Sequence, residues 1–232
     1  MSYPKKQGLY DPKNEKENCG IGFVANMKGR ATHEIIRQGI EVLNKLEHRG
    51  ACGSDPLTGD GAGLLIQMPH KFFKSQCPKI DIELPEQGKY GTGLVFFPKD
   101  ARIHSFLDIF NKIIKQEGLS LLGWRKVPVD NTTIGHVARE AEPEIWQPFI
   151  AQGENPIDQE ELERRLYKVR KLVGKEIHYA GEAEYFVSFY ICSLSTRTFC
   201  YKGQLMSNQL ETYFLDLKDP EIESALALVH SR

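Results

Sequence analysis

From Asp100 to Glu117 the chain places Ile103, Phe106, Leu107, Phe110, Ile113 and Ile114 on one face of a helix that stops at Gly118. So wide an apolar stripe must lie against a sheet or another helix, because leaving it in water forfeits its burial energy. Two further segments share the period. In A-T-H-E-I-I-R-Q-G-I-E-V-L-N-K-L the helical spacing falls on Ile36, Ile40, Leu43 and Leu46. After a helix start marked by Asp158 and Glu161, it falls on Leu162, Leu166, Val169 and Val173 and runs to about Ile177.

The surfaces for these helices to cover are short β-rich runs. G-I-G-F-V-A (Gly20 to Ala25), L-L-I-Q-M (Leu64 to Met68), Y-G-T-G-L-V-F-F (Tyr90 to Phe97, closed by Pro98) and L-S-L-L-G-W-R-K-V-P-V all read as strands. E-I-W-Q-P-F-I around Trp146 is a weaker strand signal, interrupted by Pro148. Tyr185 to Leu194 and Thr198 to Lys202, separated by S-T-R, suit two antiparallel strands joined by a short turn. A last strand, A-L-A-L-V-H-S-R, ends the sequence, while the Gly-rich stretch from His48 to Gly63 and the polar stretch 74–89 are loops. Without internal repeats or a linker, the pattern predicts one α+β domain.

Thirty basic and thirty-one acidic residues are mixed along the chain, so no electrostatic footprint for nucleic acid or a membrane surface emerges. No apolar run approaches the ~20 residues of a membrane helix. Residues 1–18 lack the apolar core of a secretory signal, and Asp11, Glu15 and Glu17 disfavour an organelle transit peptide, so the expected location is cytoplasmic. Five cysteines without C-x-x-C spacing predict free thiols and no zinc site, with Cys52, Cys77, Cys192 and Cys200 read as small apolar residues. Seven scattered histidines give no metal-ligand spacing. The stretches G-D-G-A-G and G-K-Y-G-T-G fit neither a phosphate loop nor a dinucleotide fingerprint.

Cys19 stands where the charged leader meets the first strand. If the Asn18–Cys19 peptide bond were cut, one residue would carry both a thiol and an α-amine, and an amine of pKa about 7.7 to 8.0 is a suitable base for its own side chain. Gly20 and Gly22 leave room for a substrate or a neighbouring strand. Nearby, Arg49 could aim its guanidinium at a carboxylate or thiolate. Equally, Arg49 and Gly50 could simply end a helix.

The ordered motifs N-C-G-I-G-F-V-A, E-H-R-G-A, T-G-D-G-A-G-L-L-I-Q, Y-G-T-G-L-V-F-F-P, G-W-R-K-V-P and L-V-H-S-R run from about Tyr10 to Arg232. Together they resemble the class II, N-terminal-nucleophile glutamine amidotransferase domain at the front of glutamate synthase large subunits. The resemblance implies a four-layer α-β-β-α sandwich with two antiparallel sheets, a cleaved propeptide 1–18 and an amidotransferase domain from 19 to 232. It implies Cys19 as the nucleophile that hydrolyses L-glutamine through a thioester, and Arg232 as the clamp on the substrate α-carboxylate. Arg49 and Gly50 would order the nucleophile's surroundings, and Asp60 would be structural beside the site.

In the full-length enzyme the ammonia would pass to a synthase region that aminates 2-oxoglutarate using FMN and an iron-sulfur cluster, none of it on this chain. The remainder of the large subunit, and a small electron-donating subunit, are the implied partners. The family pattern continues past Arg232 to an Asn-Gly oxyanion hole and an amine-binding aspartate, so the resemblance implies a domain incomplete at its C-terminus. Losing one oxyanion donor can cost roughly 100 to 1,000-fold in rate, and the 232 residues alone are expected to show little or no glutaminase activity. A non-catalytic folded module and an amidotransferase serving another ammonia acceptor remain the alternatives, and neither the electron donor nor the oligomeric state is legible.

Overall fold

The computed structural model describes residues 6–8, 11, 20–53, 55–99, 103–179 and 189–232. Strands β1 (Gly20–Ala25), β2 (Ala62–Gln67), β8 (Thr198–Gly203) and β9 (Leu226–Ser231) form an antiparallel sheet in the order β1-β9-β2-β8. Helix α1 (His33–Lys45) lies across β1, β9 and β2, burying Ile35, Ile36, Ile40 and Leu43. Two glycines permit this approach. A Cβ on Gly39 would stand 2.7 Å from the Ala227 Cβ, and one on Gly22 only 2.5 Å from a Val42 methyl. The room left by Gly22 is thus taken by a helix rather than by a substrate or a neighbouring strand.

The second sheet contains β3 (Tyr90–Thr92), β4 (Val95–Phe97), β5 (Leu119–Lys126), β6 (Glu144–Gln152) and β7 (Tyr190–Ile191). Its outer face is covered by α3 (Ile103–Gln116) and α5 (Gln159–Tyr179), whose stripes close over Val95, Phe97 and Ile150. α3 ends at Gly118, whose φ of 67° suits glycine. α5 is capped by Asp158, whose Oδ1 accepts the Glu161 N–H at 2.8 Å.

The two sheets share an aromatic core. α2 (His70–Gln76), within a region the sequence marks only as a break between strands, sets the fully buried Phe73 edge-on to Phe149 of β6 and Phe199 of β8, at 5.4 and 5.3 Å between ring centres. Seven residues are too few for a period to show.

Three strand expectations are corrected. The weak candidate around Trp146 is β6, nine residues long and paired on both sides, with β5 on one flank and β3 and β4 on the other. Its Pro148 is tolerated because the continuous strand expected from Tyr90 to Phe97 breaks at Gly93–Leu94. The pairs Thr92↔Phe149 and Val95↔Trp146 fall on either side of Pro148, so the missing N–H faces the gap. Nor do the strands flanking S-T-R form a hairpin. β7 pairs with β4 and β8 with β2, so residues 192–197 cross from one sheet to the other.

An ion pair is buried between the two sheets. Arg125 of β5 holds Asp216 through two bonds of 2.6 and 2.8 Å and reaches Gln147 at 3.2 Å, while the Tyr201 hydroxyl donates to Asp216 at 3.3 Å. Burial alone would push the Arg125 guanidinium down, and Asp216 more than reverses that.

Candidate active site

The ends of β1, β2, β8 and β9 that matter here lie together, since Gly20 pairs with Ser231, Ser231 with Ala62, and Ala62 with Gly203. The loop after α1 folds back onto this edge. Its 3₁₀ turn Glu47–Arg49 closes with the Gly50 N–H on Glu47 O at 2.9 Å, so as far as the backbone goes Arg49 and Gly50 do end a helical segment. The next residue, Ala51, donates to Arg232 O at 3.0 Å, Asp60 donates to Ala51 O at 3.0 Å, and Arg232 donates to Gly61 O at 2.9 Å. Three backbone bonds therefore draw Gly50, Asp60 and Arg232 together, leaving the Asp60 and Arg232 side chains exposed.

Gly50 is required for proximity rather than for an unusual φ. A Cβ there would lie 2.8 Å from Ser231 Oγ and 3.4 Å from Arg232 O. Behind it Ser231 and Ser207, both buried, meet at 2.9 Å between hydroxyls. Cys19 lies outside the described residues, and so does the Arg49 side chain; what is fixed is that Gly20, the residue covalently bonded to Cys19, starts β1 opposite Ser231.

A cavity of about 740 Å³ opens at this edge, lined by Asp60, Gly61, Lys202, Gln204, His230 and Arg232 among others. A smaller one of about 210 Å³ reaches Gly50, Cys52, Met206 and Ser207, and both share Gly61 and Arg232. Arg232 thus stands at the junction of two cavities, with Asp60 on the wall of the larger.

The loop is rigidly mounted. Asp55, 8% exposed, accepts the Thr58 hydroxyl at 2.8 Å, the Leu57 N–H at 3.1 Å and the Val137 N–H at 3.3 Å, and these bonds hold its carboxyl below the usual range, Thr58 foremost. His136, at the start of α4 (His136–Glu140), approaches Asp55 to 3.0 Å. Gln209 spans Leu57 O at 3.0 Å and Thr133 O at 2.8 Å. Sequence reading missed these supports: Val137 and Gln209 meet the loop from 82 and 152 residues away, and the local bonds of Asp55 to Leu57 and Thr58 lie within a stretch read only as a Gly-rich loop. Gly59 has no slack, since a Cβ there would stand 2.4 Å from both the Leu205 carbonyl carbon and the Met206 nitrogen. Gly59→Ala is expected to cost about 1 to 3 kcal/mol, as read by thermal unfolding against the parental chain.

Among the described residues no group of three His, Cys, Asp or Glu side chains could hold a metal ion, and no helix is long and apolar enough to cross a membrane. Two antiparallel sheets flanked by helices, with a glycine-rich loop and an arginine converging at the start of the first strand, are the frame of an amidotransferase of the N-terminal-nucleophile type. The chain belongs to the class II glutamine amidotransferases, whose family model matches residues 19–232.

It is 45% identical over 230 residues to the NADPH glutamate synthase large chain of Bacillus subtilis, covering 99% of this chain and 15% of that one. It is 41% identical over 235 residues to the NADH glutamate synthase of Schizosaccharomyces pombe, covering 99% and 11% respectively. Against ferredoxin-dependent glutamate synthase 2 of Synechocystis the identity is 35% over 219 residues, covering 94% and 14%. The chain thus spans about one seventh or less of the length of these relatives.

Proposed function

We propose that this chain is the glutamine-hydrolysing domain of a glutamate synthase, with Cys19 as its nucleophile. The observation that carries the reading is the convergence of Arg232, Gly50 and Asp60 on the edge where β1 begins, one residue after Cys19. Removal of residues 1–18 gives Cys19 a free α-amine, which takes the thiol proton. The thiolate attacks the carboxamide carbon of glutamine, ammonia leaves carrying the returned proton, and water cleaves the thioester to glutamate. Arg232 offers a planar fork to the substrate α-carboxylate, and its exposed side chain at the cavity junction suits that task. Arg49 orders the surroundings of the thiol, and Gly50 and Asp60 shape the wall.

The ammonia passes to a synthase region elsewhere in the longer polypeptide, which would carry FMN and an iron-sulfur cluster and aminate 2-oxoglutarate. That remainder, together with an electron-donating subunit, forms the partner set, and the enzyme works in the cytoplasm. Support for the acceptor comes from the relatives, which are glutamate synthases with NADPH, NADH or ferredoxin in their names.

The test is Arg232→Ala, assayed in the full polypeptide that carries this domain. Losing two charge-assisted hydrogen bonds is expected to lower kcat/KM for glutamine about 100-fold or more, chiefly through KM, with Arg232→Lys recovering part of the loss. An unchanged KM for glutamine would remove Arg232 from the substrate site.

A further inference from the structure

Amide hydrolysis at Cys19 makes no use of Cys192 or Cys200. Cys200 stands on β8 opposite Leu65 and lines the larger cavity. Cys192 lies just past β7 in the other sheet, 8% exposed, its N–H donating to Leu94 O at 2.8 Å. The crossover between them folds back so that the Cys192 thiol donates to the Cys200 carbonyl oxygen at 3.7 Å, which sets the two cysteines side by side across the gap between the sheets.

The crossover that joins them is pinned along its length. Thr92 and Ser195 exchange N–H and C=O at 3.0 and 3.1 Å, and Met68 donates to Arg197 O at 2.8 Å. Glu163 of α5 accepts from the Ser195 hydroxyl at 3.0 Å, from the Thr196 hydroxyl at 2.6 Å and from the Thr196 N–H. Two residues along β8, on the same face as Cys200, Lys202 places its ammonium 2.9 Å from the Tyr190 hydroxyl.

The two sulfurs are unequal. The adjacent Cys192 thiol draws the Cys200 thiol below its ordinary range, and the Lys202 charge adds to this. The neighbouring Cys200, with burial, pushes Cys192 up, so it stays a thiol beside a more acidic neighbour.

We propose that Cys200 and Cys192 are a hydroperoxide-reactive pair that closes into a disulfide between the two sheets. The Cys200 thiolate attacks the terminal oxygen of a hydroperoxide, the O–O bond breaks, an alcohol or water leaves, and Cys200 becomes a sulfenic acid. The Cys192 sulfur then displaces that oxygen, which departs as water with the Cys192 proton, and the S–S bond forms. Two thiols are oxidised and one peroxide bond is reduced, and a dithiol reverses the change. The step is independent of Cys19, because neither sulfur takes part in amide hydrolysis.

The test treats the reduced 232-residue chain with stoichiometric hydrogen peroxide, blocks remaining thiols by alkylation and digests with trypsin. Cleavage after Arg197 separates the Cys192 peptide from Thr198–Lys202 unless a disulfide joins them. The expected product is that joined pair, lighter by two hydrogen atoms than its halves and released by a dithiol. In Cys192→Ser the sulfenic acid on Cys200 should persist and be trapped by a 1,3-dione. Wild-type chain that yields both peptides alkylated, or Cys200 linked to another cysteine, overturns the proposal whatever the variant does.

Discussion

Cys19→Ala is expected to lower glutamine hydrolysis by roughly four to six orders of magnitude in the polypeptide that carries this domain at its front, while leaving thermal stability unchanged. The size follows from chemistry. Removing the nucleophile from a covalent mechanism abolishes the intermediate, and only binding and charge stabilisation survive. Here the same residue also supplies the proposed base, so no neighbour can substitute for it. A glutamine-like alkylating reagent should mark Cys19 and none of Cys52, Cys77, Cys192 or Cys200, and intact mass should show an active chain beginning at Cys19. A Cys19→Ala protein that turns over glutamine at the parental rate would falsify the assignment.

The second large effect is on stability. Asp216→Asn leaves Arg125, 8% exposed, with a buried charge and no counter-ion, and is expected to cost about 3 to 5 kcal/mol, on the order of 10 °C in Tm. The pair links β5 in one sheet to Tyr201 in the other, and the guanidinium also sits 5.5 Å over the Phe72 ring. Replacing both partners, as Arg125→Met with Asp216→Leu, should recover most of the loss, because the charges then vanish together. Chemical denaturation of the two variants reads this directly. A single-variant cost below about 1 kcal/mol would mean that water reaches the pair.

Where a segment's own residues settle its state, sequence reading succeeded. The stripes of α3 and α5 point inward, Asp158 and Gly118 mark the ends assigned to them, and β9 closes the chain. Cys77, read as a small buried residue, is fully buried, and its thiol is pushed up to about 12 by that burial. Cys52, read the same way, is exposed beside the smaller cavity instead, because the loop carrying it lies on the outside of the sheet edge.

The errors arose where a neighbour decides. Pro148 looked like a strand breaker until the gap at Gly93–Leu94 stood opposite it, and the S-T-R turn joined two strands without showing that they belong to different sheets. Of the candidate site, Cys19, Arg49, Gly50, Asp60 and Arg232 were legible as motif residues. Of their supports, Ser207 and Gln209 reach partners 24 and 152 residues away, where a hydroxyl or amide gains meaning only from its partner, while Asp55 bonds Leu57 and Thr58 within its own loop.

By itself the sequence determined the class: helices and strands alternate with caps and periods that are properties of contiguous residues, and the ordered motifs identify the amidotransferase. Only the tertiary structure decided the sheet order, the glycines that let α1 approach and the loop that meets Arg232 at the head of β1. Those depend on pairings between residues far apart in the chain, such as Gly20 with Ser231 and Ala51 with Arg232, which no local propensity encodes.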